Sequence, residues 1–157
     1  GLSDRLALVA RSIRLGLPPS LYGVELDGFD THLSQARPHE RLLAELDGAL
    51  GAFAAELEHS GDLDRVCVLV WSEFGRRVHE NGSGGTDHGA AGAVWLLGGG
   101  VAGGEHGHRP DLERLEDGDV PYSTDLRALY ACLERDWLGL TPERPAPAGS
   151  APLELFA

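Results

Sequence analysis

Three short stretches of this sequence set carboxylates and cationic or imidazole side chains close together: Asp30 with His32, Glu73 with Arg76, and Asp87 with His88. Carboxylate oxygens and imidazole nitrogens are the ligand set of zinc, manganese and iron, and the hard oxygens also admit magnesium or calcium. Asp30, His32, Glu73, Asp87 and His88 therefore make a candidate divalent-cation site, provided that three separate loops converge. Arg76 adds a planar guanidinium that can grip an anionic oxyester through two parallel hydrogen bonds. Each residue taken alone has a plainer reading. Asp30 or Asp87 can bond its own turn backbone, His88 can be a partly exposed histidine, and Arg76 can pair with Glu73.

No catalytic nucleophile stands out. Thr31 reads as a turn residue, Ser72 sits at the end of an apolar run, and no serine lies in a Gly-x-Ser-x-Gly context. All 13 basic residues are arginine, which excludes a phosphate-loop lysine and a Schiff-base lysine. Gly98–Gly103 matches the dinucleotide fingerprint and follows a strand-like run, but no helix-forming stretch comes after it, so the glycines read as tight turns. Asn81-Gly82-Ser83 fits a glycosylation sequon short enough to arise by chance, and His106 and His108 read as solvated loop residues. The segment from Arg109 to Asp119 reads as a solvated acidic loop. Cys67 and Cys132 lie in apolar runs and read as small core residues.

The elements that must position these groups follow from hydrophobic spacing. Leu2, Leu6, Val9, Ala10 and Ile13 repeat at helical intervals, ending at Gly16 with Pro18 and Pro19 beyond. Leu21 to Leu26 alternates as a short strand and runs into the Asp30 loop. A second helix opens near Pro38 and carries Leu42, Leu46, Leu50, Phe53 and Leu57 on one stripe up to Gly61. Val66 to Trp71 is apolar throughout and reads as a strand buried on both faces, as in parallel sheets. Ala93 to Leu97 is a second such run, and a last helix from about Thr124 carries Leu126, Leu129, Leu133 and Trp137. This alternation predicts an α/β fold with a mostly parallel sheet and helices on both faces, and ligands beyond the carboxyl ends of its strands. Residues 1–141 are expected to form one domain, followed by an extended proline- and alanine-rich tail over 142–157.

The strings Asp27-Gly28-Phe29-Asp30-Thr31-His32, Ser72-Glu73-Phe74-Gly75-Arg76 and Gly85-Thr86-Asp87-His88-Gly89 resemble, in this order, the bacterial domain-of-unknown-function 1501 family. Members are commonly about twice this long and begin with a twin-arginine export signal, so the chain looks like a C-terminal half and the resemblance implies a periplasmic or secreted location. The absent methionine and the opening on Gly1-Leu2-Ser3 fit a fragment as well, and the first residues show no signal peptide.

The family is similar to the alkaline phosphatase and sulfatase superfamily. That likeness implies the C-terminal half of an alkaline-phosphatase-like fold, with divalent metal at the sheet edge and hydrolysis of phosphate or sulfate esters. The superfamily pattern carries Asp30 and His32 over as one ligand group and leaves two registers for the rest. In one, Asp87 and His88 are the Asp-His pair and His106 or His108 is the late histidine. In the other, which keeps each ligand at a strand end, Glu73 replaces the paired aspartate, Phe74 stands where the paired histidine is expected, and His88 is the late histidine. The nucleophile would come from the N-terminal half. The alternative is an exported or envelope-associated binding domain that keeps the fold without turnover.

Charge bounds the partners. With 25 acidic against 13 basic residues among 157, the formal net charge is −12. Such a surface repels nucleic-acid phosphates and anionic lipid. The longest uncharged stretch, Gly89–Gly104, is glycine-rich and too short to span a bilayer. The expected partners are a small anionic ester and the rest of the same protein, with no nucleic acid and no membrane insertion.

Overall fold

The computed structural model describes residues 1–156, and the chain divides into two compact units: residues 1–66 with 79–87, and residues 67–78 with 88 onward. In the first unit, helix α1 (Leu2–Arg14) packs on helix α2 (Ala36–Ser60). Leu2, Leu6, Ala10 and Ile13 of α1 and Ala49, Phe53 and Leu57 of α2 are buried, the spacing of one helical face each. Full burial of a leucine, isoleucine or phenylalanine side chain contributes about 1.5–3 kcal/mol, so Leu2, Leu6, Ile13, Phe53 and Leu57 carry most of this contact.

Both helices stop for a local reason. Gly61 takes a left-handed conformation, φ 75°, and the Asp62 amide donates to the Leu57 carbonyl at 2.8 Å, closing α2. Gly16, φ 64°, does the same for α1. Two cross-links tie the pair together: Arg14 to Glu56 at 3.2 Å and Arg65 to the Ile13 carbonyl at 2.7 Å.

Residues 17–35 join these helices with no regular structure. The alternation in Leu21–Leu26 survives as burial, with Tyr22, Val24 and Leu26 half-buried between exposed neighbours, but the expected strand does not form. The Arg5 guanidinium donates to the Glu25 carbonyl.

The second unit holds all four strands found among the described residues. Strand β1 (Val68–Val70) pairs antiparallel with β4 (Trp95–Leu97) through Val68–Leu97, Leu69–Leu96 and Val70–Trp95. Strand β2 (Gly75–Arg76) pairs antiparallel with β3 (His88–Gly89) through Gly75–Gly89 and Arg76–His88. Helix α3 (Leu126–Cys132) is capped by Asp125, whose carboxylate accepts from the Arg127 amide, and passes into a single π turn over Leu133–Trp137. Leu129, Cys132 and Leu155 form the core of this unit, with Leu69, Leu96, Leu133, Leu153 and Phe156 packed against them. The proline-rich stretch is largely exposed, while the end of the chain returns to this core: Phe156 bridges to Val101, and the Ala102 amide donates to the Leu155 carbonyl at 2.8 Å.

The mostly parallel sheet with helices on both faces, and with it the alkaline-phosphatase-like half-fold, is thus corrected to two short antiparallel pairs, with 9% of residues in strand against 34% in helix. A parallel pair needs a crossover segment, usually a helix, and residues 71–94 contain none. Nor is Val66–Trp71 buried on both faces: residues 66–70 are half-buried and Trp71 is 50% exposed. An unbroken apolar run announces an affinity for burial, and it carries no information on strand direction.

Candidate functional site

In the first unit the Asp30 loop is anchored by Phe29, whose ring meets His39 in the first turns of α2 edge to face at 5.7 Å. The Thr31 amide donates back to the Phe29 carbonyl at 2.9 Å, a tight reversal that turns Asp30 and His32 outward beside one another. Onto this loop docks the segment 81–87. The Ser34 and Gln35 amides donate to the Ser83 and Gly84 carbonyls at 3.0 and 2.9 Å, and the Thr86 hydroxyl bonds the Gln35 side-chain oxygen at 2.9 Å. Gly85 lies flat against the first loop, where an added Cβ would stand 2.5 Å from the His32 carbonyl carbon.

Asn81 organises this contact. Its side-chain oxygen accepts from the Ser83 and Gly85 amides at 2.9 and 3.2 Å, while its amide nitrogen donates to the His32 carbonyl at 3.0 Å and to Asp87 Oδ1 at 3.2 Å. Every hydrogen-bonding direction of the side chain is used. In the sequence, a short sequon is what marks Asn81.

The result is an imidazole between two carboxylates. His32 Nε2 lies 3.0 Å from Asp30 Oδ1, and His32 Nδ1 lies 3.4 Å from Asp87 Oδ1. A neutral imidazole has a single N–H, so it can donate to one of these oxygens only, and its other nitrogen then turns a lone pair toward a carboxylate. A metal ion at that nitrogen would resolve the conflict. All three side chains are accessible, His32 at 45%, Asp30 at 66% and Asp87 at 63% exposure. The chemistry of the donors therefore fits a divalent cation open to solvent on one side.

In the second unit, Glu73 is exposed just beyond β1. The Phe74 ring lies beneath Arg76, whose guanidinium carbon is 5.1 Å from the ring centroid. The same ring stacks on the His88 imidazole, with centroids 3.9 Å apart and planes 5° from parallel. The backbones of β2 and β3 approach so closely that Gly75 and Gly89 admit no side chain: a Cβ on the first would overlap the Ala91 carbonyl, and one on the second would stand 2.7 Å from the Arg76 carbonyl carbon.

Asp119 completes this arrangement: residues 109–118 are exposed as expected apart from half-buried Leu115, and Asp119 at the end of that loop is the exception. Its side chain is buried, at 9% exposure, and accepts from the Ala90 amide at 2.6 Å and the Val120 amide at 2.8 Å, fixing the chain just after His88. A tight turn presents it: Asp117 and Gly118 both take positive φ, 51° and 78°, and Glu116 and Asp119 exchange backbone bonds at 2.8 and 2.9 Å. The Asp-Gly pair in the sequence was the available signal for that turn.

The remaining candidates play structural parts. Gly98 turns the chain after β4, with the Val101 amide returning to its carbonyl at 3.2 Å and no helix following. His106 Nε2 lies 3.3 Å from the Ala102 carbonyl, and the His108 backbone amide donates to the Ser123 hydroxyl at 3.2 Å. Burial and the neighbouring Cys132 push the Cys67 thiol up to about 11, which argues against a free thiolate nucleophile at neutral pH. No helix among the described residues is long and apolar enough to cross a membrane.

No curated protein and no solved structure matches this sequence. Residues 17–132, which include every candidate ligand and Arg76, match the family described as "Protein of unknown function (DUF1501)". The chain belongs to that family.

Proposed function

We propose that the chain binds a divalent cation through Asp30 and His32 of the first unit, with Asp87 as the carboxylate behind the imidazole. The observation that carries this reading is the His32 ring set between the Asp30 and Asp87 carboxylates at 3.0 and 3.4 Å. With a cation on the Nε2 side, the Nδ1–H would donate to Asp87, which itself accepts from Asn81. A ligand histidine commonly has such a carboxylate behind it, fixing its tautomer and raising its basicity. Imidazole in the donor set favours zinc or manganese over magnesium or calcium.

The chemistry we assign is hydrolysis of a phosphate or sulfate ester, the activity suggested by the resemblance to the alkaline phosphatase and sulfatase superfamily. A bound divalent cation would supply charge neutralisation at the ester oxygens and lower the pKa of the attacking group. Arg76, whose guanidinium lies over the Phe74 ring in the second unit, has the chemistry to hold an anionic ester. Asn81 and Gly85 keep the two loops of the first unit in register, so that Asp30, His32 and Asp87 are set before any ligand arrives. The nucleophile is unassigned.

The test uses untagged protein. Zinc or manganese titrated calorimetrically should bind with one equivalent per chain, and Asp30→Ala or His32→Ala should weaken binding at least about tenfold. Nitrophenyl phosphate and sulfate esters should then be cleaved by metal-loaded wild type and not by Asp30→Ala. Binding without cleavage of any ester overturns the hydrolase and leaves a non-catalytic cation-binding domain. Absence of binding overturns the whole reading.

A further inference from the structure

Asn81 is the single asparagine of the chain, and glycine follows it. An asparagine before glycine is prone to deamidation, because no Cβ hinders the approach of the glycine nitrogen to the carboxamide carbon. That nitrogen attacks Asn81 Cγ and loses its proton to solvent, while the Cγ–Nδ2 bond breaks and Nδ2 takes up a proton to leave as ammonia. Water then opens the succinimide at either carbonyl carbon, giving aspartate or isoaspartate. No other co-reactant is needed. Gly82 is exposed, with nothing within 4 Å of where its Cβ would stand, so solvent base can reach its amide. The protection lies on the carboxamide. Its oxygen accepts from the Ser83 and Gly85 amides at 2.9 and 3.2 Å, and Nδ2 donates to the His32 carbonyl at 3.0 Å and to Asp87 Oδ1 at 3.2 Å. These bonds fix the carboxamide plane and oppose the protonated, pyramidal nitrogen that must depart. The main chain of Asn81 is tied as well: its amide donates to the Gly85 carbonyl at 2.8 Å, and its carbonyl accepts from the Gly84 amide at 3.2 Å.

We propose that Asn81 is a deamidation site guarded by the docking of residues 81–87 on the Asp30 loop: the docked chain protects the carboxamide, and each opening of the contact exposes it to Gly82. The product closes the way back. Aspartate has no donor for the His32 carbonyl and sets a second carboxylate against Asp87. Isoaspartate lengthens the main chain by one methylene just before Gly85, which has no slack to absorb it, since even a Cβ there would stand 2.5 Å from the His32 carbonyl carbon. A reversible local opening thus becomes a permanent one. All of these contacts lie within the first unit, and the inference is independent of cation binding.

The experiment incubates the full chain in mildly alkaline buffer without added metal and follows ammonia release and intact mass, which rises by about 1 Da when the amide becomes an acid. Peptide mapping assigns the change to Asn81 rather than to Gln35, the single glutamine. Native wild type should deamidate at least about tenfold more slowly than the same protein in denaturing urea. Gly85→Ala should raise the native rate severalfold and leave the urea rate unchanged. So should Thr86→Val, which removes the hydroxyl bond to Gln35 without touching Asn81. In deamidated wild type the Ser34 and Gln35 amides, which donate to the Ser83 and Gly84 carbonyls, should lose their protection from hydrogen exchange. Equal rates in native and denatured wild type overturn the proposal, because the docked carboxamide is then unguarded. So does the wild-type native rate in both variants, or undiminished protection of Ser34 and Gln35 after deamidation.

Discussion

The two regions that carry the candidate ligands are held by different physics. In the first unit, the loops around His32 and Asp87 are joined chiefly by hydrogen bonds, from two backbone amides, one hydroxyl and the Asn81 amide to the His32 carbonyl, with Gly85 lying close against His32. In the second, β2 and β3 pair over two residues only, and the rest of the hold comes from stacked rings, glycine-to-backbone contact and one buried carboxylate. Hydrogen bonds fix direction and tolerate solvent, so the first arrangement can leave His32, Asp30 and Asp87 exposed. Close packing fixes distance and tolerates no added volume. An exposed site can thus be rigid in either way, and the two ways fail differently under mutation.

The largest effects should come from adding one methyl group. Gly75→Ala drives a Cβ into the Ala91 carbonyl and Gly85→Ala drives one against His32, each with backbone as the unyielding partner. Each should cost about 3 kcal/mol, a fall of roughly 10 °C in melting temperature. Amide exchange should rise around residues 74–76 and 88–91 for the first and around 31–35 and 81–87 for the second. Equal, chain-wide exchange in both variants would show that the two modes of support are not separate.

Removing polar anchors should cost less. Asn81→Ala leaves the Ser83 and Gly85 amides and the His32 carbonyl without their partner, and Asp119→Ala does the same to the Ala90 amide. Each is expected to lose about 2 kcal/mol in denaturant titration. Asp119→Asn, which keeps one acceptor oxygen, should recover part of that loss. Asn81→Asp should not recover it at neutral pH, because a new carboxylate would face the His32 carbonyl and Asp87 where donors are needed.

The smallest effect lies away from both regions, at the cap of α3. The Arg127 side chain, then its backbone amide, bonds the Asp125 carboxylate and holds its pKa at about 2 rather than 3.8. The folded value is the lower one. The stabilisation is therefore complete above about pH 4 and is lost as the pH falls through 2. A carboxyl-carbon NMR titration should show Asp125 protonating near 2 in wild type and closer to 3.8 in Arg127→Ala, with little change in melting temperature at pH 7 because the pair is exposed.

Much of the helical structure was legible beforehand. The stripe from Leu42 to Leu57 and the stop at Gly61 reappear as α2 and its left-handed cap, because helix periodicity and termination depend on neighbours within a few residues. The apolar runs at Val66–Trp71 and Ala93–Leu97 correctly located β1 and β4, yet their antiparallel pairing was hidden, since direction depends on the path of the intervening loop. Leu21–Leu26 alternates as a strand should and lies half-buried on alternate residues, but with no partner strand it has no ladder to join.

Asp30, His32 and Asp87 were singled out by residue type alone, and the structure sets them together. Asn81 and Asp119 escaped notice because their partners are backbone groups of distant loops, the His32 carbonyl and the Ala90 amide, which any residue would supply. Phe74 was visible only as a departure from a pattern, and its contact with His88 emerges from the β2–β3 pairing.

Residue chemistry and local spacing by themselves determined which side chains carry metal-ligand donor atoms, where the helices run and end, and which classes of catalysis the absence of lysine rules out. The tertiary structure alone decided strand direction, the setting of His32 between two carboxylates, and the stacking of Phe74 on His88. The division has a physical cause: propensity and donor type belong to single residues and their near neighbours, whereas pairing and orientation arise when the chain closes loops dozens of residues long.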